Sequence, residues 1–206
     1  MINFTNIQRY DNVPFEEYLQ RPGYSHSFLK SEVMGITPMF IGSEKVMIGK
    51  LVDGILMDPA SVDMTDPLYP VSKVIAVSIR AKFGSMIERF ESQLSYTADL
   101  EHEGFIMPAK FRLDWLLRGF GVIDLKVTQE KDIHALIRHM GYDNQLWGYA
   151  RVAEVQKKYI LAQRCKKLAD GRVIPLGEAQ LIKLPDVTPS NPFWADKILK
   201  FGRVVA

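Results

Sequence analysis

Apolar residues recur at steps of three and four from Lys73 to about Phe90, at Ile79, Phe83, Ile87 and Phe90, which predicts a long amphipathic helix. The period then shortens to two. SYTADLE and FIMPAKFRLDWLL flank the turn His102-Glu103-Gly104, and GVIDLKVT follows Arg118-Gly119-Phe120, so three consecutive strands are expected between Ser95 and Thr128. Pro108 implies that the middle strand is bulged or starts late. Upstream, PFEEYLQ and SFLKSEVM read as two short helices separated by Arg21-Pro22-Gly23, the second capped by Ser25 or Ser27. SEKVMIGKLVDGILMDP reads as a helix capped by Ser43 and halted by Pro59. Downstream come a helix from about Lys131 to His139, a second through DNQLWGYARVAEVQ, the strand KKYILAQR, one or two strands in GRVIPLGEAQLIKL, and a last helix in NPFWADKILKFG with Asn191 as cap. This order predicts an α/β or α+β fold with a central mixed sheet flanked by helices. Residues 1–206 form one domain on this reading, with 1–60 a helical part packing on the core.

The hairpin at 105–128 carries charges that a buried sheet does not need. Alternation puts Phe111, Leu113, Trp115 and Leu117 on one face of its first strand, and Arg112, Asp114 and Leu116 on the other. In the second strand Val122, Asp124 and Lys126 share a face, opposite Ile123, Leu125 and Val127. A three-residue loop at Arg118–Phe120 pairs Leu117 with Gly121, and counting back sets Asp114 opposite Asp124. Like charges so placed repel unless a cation lies between them or one carboxyl takes a proton. A hard divalent ion, Mg²⁺ or Mn²⁺, would resolve the conflict, with Lys126 reaching the space in front of it to orient a water or neutralise phosphoryl charge. The same residues also fit a solvated sheet face with cross-strand salt bridges, and a one-residue slip would remove the opposition.

Composition narrows the setting. At 206 residues and 47% hydrophobic the chain can bury a sizeable core, and a net charge of +2 with pI near 8.5 confines any nucleic-acid contact to a local patch. Lys157, Lys158, Arg164, Lys166 and Lys167 form the densest run of cations, with Arg21, Lys30 and Lys110 as further phosphate contacts. The single cysteine, Cys165, excludes an intrachain disulfide and a four-cysteine zinc or iron–sulfur site. No apolar run long enough to span a membrane and no signal-peptide pattern is present, so a cytoplasmic setting without membrane contact is expected. No G-x-x-x-x-G-K-[ST] motif occurs, so no ATP requirement is expected. Trp147 and Trp194 read as core, and His26 as a polar residue in the first turn of a helix. Glu101 and Glu103 read as surface residues.

Asp114, then Asp124-Leu125-Lys126 ten residues on, resembles the D…(D/E)-x-K core of the PD-(D/E)XK nuclease superfamily. GYDNQLWGYARVA resembles the Q-x-x-x-Y helix of RecB-like and exodeoxyribonuclease VIII-like nucleases, and supplies Gln145 and Tyr149. GKLVDGILMDP is similar to the G-x-x-V-H-x-x-L-L-E-P helix of the latter, and YSHSFLKSE to its opening S-x-S-x-L-x-x-L segment. The four pieces occur in family order over roughly residues 20 to 185.

This resemblance, to the lambda-exonuclease-related branch, implies a restriction-endonuclease-like core. It implies Asp114, Asp124 and the Leu125 carbonyl as metal ligands, Lys126 as the catalytic lysine, and Gln145 and Tyr149 as site residues. Asp53 stands where the family helix carries a metal-binding histidine, so it is expected either to complete the metal site or to mark an altered one, with Asp58 or His26 as the residues that matter if the alignment shifts. The implied activity is a Mg²⁺- or Mn²⁺-dependent exodeoxyribonuclease acting on duplex DNA ends in phage or bacterial recombination. A ring-shaped homo-oligomer and a recombination partner protein are implied with it. The alternative is a catalytically weakened nuclease-fold protein that binds or assembles on DNA ends.

Overall fold

The computed structural model describes residues 1–34 and 44–204. In chain order the elements are β1 (Asn3–Tyr10), α1 (Phe15–Gln20), α2 (His26–Met34), α3 (Glu44–Met57), a 3₁₀ turn (Pro59–Ser61), α4 (Tyr69–Ile87), β2 (Glu91–His102), β3 (Phe105–Leu117), β4 (Gly121–Thr128), α5 (Ile133–Met140), α6 (Tyr142–Val152), β5 (Lys158–Lys167), β6 (Val173–Pro175), β7 (Gln180–Lys183), α7 (Pro192–Phe201) and β8 (Arg203–Val204). The eight strands form one mixed sheet in the order β1-β2-β3-β4-β5-β6, with β7 also on β5 and β8 on β3. All pairings are antiparallel except β4–β5, whose parallel crossover contains α5 and α6. No described helix is long and apolar enough to cross a membrane.

Local chemistry sets several boundaries. Ser25 Oγ accepts from the Phe28 amide (3.2 Å) to open α2, and Asp132 Oδ1 accepts from the Ala135 amide (2.9 Å) to open α5. Asn191 Oδ1 accepts from the Trp194 amide (3.3 Å) to open α7. Ser43, the expected cap of α3, lies outside the described residues. The N-terminal part is not wholly helical: residues 3–10 form an outer strand on β2, a pairing across some 90 residues that no local pattern announces. Pro108 causes neither bulge nor late start. Its carbonyl accepts from the Tyr24 amide (3.0 Å), and on that side β3 pairs with β8 only at Phe105–Ile106 and with β4 only at Trp115–Leu117, so the missing N–H removes no ladder bond.

Two cores lie on opposite faces of the sheet. Leu29, Phe111, Leu113, Leu146, Trp147, Trp194 and Ile198 join β3 to α2, α6 and α7. Val52, Ile75, Ile79, Trp115, Ile123 and Leu161 join β3–β5 to α3 and α4. Each large side chain so buried stabilises the fold by roughly 1.5–3 kcal/mol. Strict alternation along β3 does not hold, since Phe111, Leu113 and Leu116 enter the first core while Trp115 enters the second. The β2–β3 ladder keeps one register throughout but omits the pair Gln93–Asp114, where Gln93 has φ of 55°. The phase changes at that distorted pair, next to the residue on which the site depends.

Candidate active site

The hairpin loop pairs Leu117 with Gly121, Leu116 with Val122 and Trp115 with Ile123; Asp114 and Asp124 occupy the next positions of that register, where the ladder stops. Beyond this point β4 keeps only its parallel pairing with β5, which runs from Val122 to Thr128 and sets Asp124 beside Ile160 and Lys126 beside Ala162. The strands therefore diverge at the two acids. Asp124 is 1% exposed, so this is no solvated face of cross-strand salt bridges. Burial, then the Asp124 charge, pushes the Asp114 carboxyl well above the ordinary carboxylate range, with Lys126 partly offsetting both. The Leu125 amide lies 3.4 Å from Asp114 Oδ2.

Lys126 Nζ sits 2.6 Å from Asp124 Oδ2 and 4.5 Å from the centroid of the Tyr142 ring. Burial works against its charge, but Asp124, then Tyr142 and Asp114, more than offset this and hold it protonated. The Lys126 contact is an ion pair; among the described residues no hydrogen-bond donor is aligned on Asp124 Oδ2, which is otherwise sealed from solvent.

One helix supplies the facing wall. Gly148 lets α6 approach the sheet: a Cβ there would lie 2.7 Å from Phe111 Cε1 and 3.2 Å from Trp194 Cζ2. Gln145 Nε2 donates to Tyr149 Oη (2.6 Å), which leaves the Tyr149 hydroxyl proton free to donate elsewhere. Burial, followed by the charges of Tyr18, Asp114 and Asp124, raises the Tyr149 pKa well above the usual tyrosine value. Tyr142 went unrecognised in the sequence although it shares a helix face with Gln145 and Tyr149 at spacings of three and seven.

Asp53 approaches from α3. Trp115 Nε1 donates to its Oδ1 and Gln93 Nε2 to its Oδ2, both at 2.7 Å. Its pKa is raised to about 6, chiefly by burial, with the two hydrogen bonds and Arg112 lowering it and the Asp124 charge adding to the rise. Among the described residues no group of three or more His, Cys, Asp or Glu side chains is placed to hold a metal. The acidic side chains that come together here are Asp114 and Asp124. Oxygen donors and a repelling acid pair suit a hard divalent ion that keeps several waters.

Other candidates fall elsewhere. Asp58 is exposed at the 3₁₀ turn. His26 is buried against Phe193 and Trp194, and burial, then Lys30 and Lys126, lowers its pKa to about 4. The run from Lys157 to Lys167 is not one patch, because β5 spreads it over roughly 30 Å. Lys158 is buried on Asp143 (2.7 Å) and Lys167 pairs with Glu44 (2.9 Å). Lys110 Nζ donates to the Leu19 and Arg21 carbonyls, Lys30 Nζ to Met140, and Arg21 pairs with Glu17. Trp147 and Trp194 are core residues, their indole N–H groups donating to Thr188 and Asn144 carbonyls. Glu101 pairs with Ile106, and Glu103 lies in the adjoining turn, at the opposite end of the hairpin.

No protein-family model matches the chain, and no curated protein does. Among solved structures, one from Eubacterium rectale whose protein is named provisionally as an exonuclease aligns with a TM-score of 0.52 and 18% identity, over 89% of this chain and 71% of that one. A second, that of SSO0001, aligns at 0.39 and 15% identity over 86% of this chain and 84% of that one, and nothing rests on it. The first likeness is one of fold, the mixed α/β architecture with a central mixed sheet.

Proposed function

We propose that this chain is a metal-dependent deoxyribonuclease that hydrolyses phosphodiester bonds at the ends of duplex DNA. The observation that carries the reading is the close Asp114–Asp124 pair, with Asp124 buried and Lys126 protonated against it. Asp114, Asp124 and the Leu125 carbonyl would hold Mg²⁺ or Mn²⁺, and such an ion supplies Lewis acidity toward a phosphoryl oxygen and a more acidic water. Lys126 keeps a positive charge where phosphoryl charge builds up. Tyr149, held protonated, donates a hydrogen bond rather than accepting a proton, and Gln145 fixes its hydroxyl. Asp53 supports the site from behind Trp115 and Gln93, and joins the ligand set only where its oxygens can serve two partners. The nuclease-named neighbour in fold supports the nuclease reading, and the family resemblance alone extends it to a cytoplasmic enzyme of phage or bacterial recombination, working as a homo-oligomer with a partner protein.

The test is release of acid-soluble nucleotides from linear duplex DNA in Mg²⁺ and in Mn²⁺, with a covalently closed circle and the Asp124→Asn protein as controls. Loss of the linear substrate alone, abolished by the substitution, is the expected result. Cleavage of the circle would make the enzyme an endonuclease. A second reading, a nuclease-fold protein that binds DNA ends without cutting them, is favoured by one observation: both Asp53 oxygens are already engaged, which leaves two carboxylates for the metal. Metal-independent binding with no release in either ion would select it.

A further inference from the structure

Arg112 precedes Asp114 by two residues and is half-buried, with no carboxylate in ion-pair contact among the described residues. Its Nε and Nη2 donate to Gln93 Oε1 (3.1 and 2.7 Å) and its Nη1 to the Val13 carbonyl (2.8 Å). A guanidinium has five N–H donors, so two remain unused here. Burial pulls this guanidinium below its ordinary pKa, although Tyr18, Asp114, Asp53 and Glu16 oppose the shift. Outward from Arg112 lies the ring of Phe15, 39% exposed, with the Arg112 guanidinium 5.6 Å from its centroid. The Lys50 ammonium is 5.4 Å from the same centroid. Lys50 is exposed, lacks an ion-pair partner among the described residues, and lies three positions before Asp53 on α3, so the two share a helix face.

Two cations without an ion-pair partner among the described residues thus flank the partly exposed Phe15 ring, which stacks on Tyr18 (centroids 6.2 Å), and both are tied to residues of the acid site. A cation alone would suit any anion, and a ring alone any apolar partner. The combination matches a nucleotide, whose base has a π face and whose phosphate carries the charge. We infer that Phe15, Lys50 and Arg112 form a subsite for the nucleotide next to the scissile bond, with the base stacked on Phe15 and the flanking phosphate on Arg112 and Lys50. This rests on the nuclease reading for its substrate class. Stacking reads no hydrogen-bond pattern, so the subsite is indifferent to sequence.

The experiment is equilibrium binding, by fluorescence anisotropy in EDTA, of a fluorescein-labelled linear duplex with a short single-stranded end. Phe15→Ala is expected to weaken binding by roughly tenfold for every end sequence, and Phe15→Trp to restore it. Lys50→Ala is expected to lower the slope of log affinity against log salt by about one. Should Phe15→Ala melt early, Phe15→Leu against Phe15→Trp decides, since leucine keeps bulk but has no π face. Equal binding by the leucine and tryptophan proteins, or an unchanged salt slope, would overturn the subsite. Normal nucleotide release by the parent alongside that result leaves the nuclease reading standing. Phe15-dependent binding with no release by the parent keeps the subsite and removes the nuclease.

Discussion

Trp115 donates its indole N–H to Asp53 Oδ1 at 2.7 Å, so a residue buried in β3 and an acid on α3 are joined directly behind the opposed carboxylates. The bond ties α3 to the strand that carries Asp114. Trp115→Phe keeps an aromatic ring in the core but removes the donor, leaving a largely buried carboxylate oxygen unsatisfied. A loss of about 1–3 kcal/mol is expected, read as a lower urea midpoint at constant slope. An unchanged midpoint would mean that water replaces the indole.

Stability of the metal-free protein should fall as pH rises. Burial lifts Asp53 from 3.8 to about 6, and Asp114 is raised in the same direction. A carboxyl whose folded pKa is raised binds its proton more tightly in the folded state. Its favourable contribution is complete below the unfolded value and is lost as pH passes through the folded one. For Asp53 that window runs from about pH 4 to about 6 and involves up to about 3 kcal/mol. Urea unfolding in EDTA across this range checks the slope, and Asp53→Asn should flatten it. Millimolar Mg²⁺ should raise stability at neutral pH by binding the folded state alone, and Asp124→Asn should abolish that gain.

Tyr142 is expected to act through Lys126. With the ammonium 4.5 Å from the ring, Tyr142→Phe keeps the π face and should retain nucleotide release, while Tyr142→Leu should lose roughly tenfold. Lys126→Ala should lose about a hundredfold or more. Equal activity of the phenylalanine and leucine proteins would show that the ring only fills space.

Gly148→Ala tests how α6 is seated. The added methyl meets Phe111 at 2.7 Å, and Phe111 is itself buried against Trp194. Overpacking of this kind costs about 1–3 kcal/mol. A lowered melting temperature is expected, with nucleotide release reduced because Gln145 and Tyr149 move with the helix. A melting temperature equal to the parent's would show that Phe111 yields without strain.

The hairpin was legible because its information is local: alternation sets its strands, a three-residue loop fixes Leu117 on Gly121, and the opposed positions of Asp114 and Asp124 follow by counting. The helix with Gln145 and Tyr149 four apart was legible for the same reason, as were the side-chain caps at Ser25 and Asn191. Contacts between distant segments were not. The outer strand Asn3–Tyr10 gains its ladder only from β2, and Tyr142 matters only because β4 brings Lys126 beneath it. The run from Lys157 to Lys167 looks like one patch in one dimension and is drawn apart by the extended backbone of β5. Even the faces of β3 follow its sequence only as far as Asp114, because the left-handed Gln93 opposite shifts the phase. Periodicity records which side of its own element a residue takes. Which side chains meet across elements, and so which charges are paired, buried or left open to a ligand, is decided by packing alone.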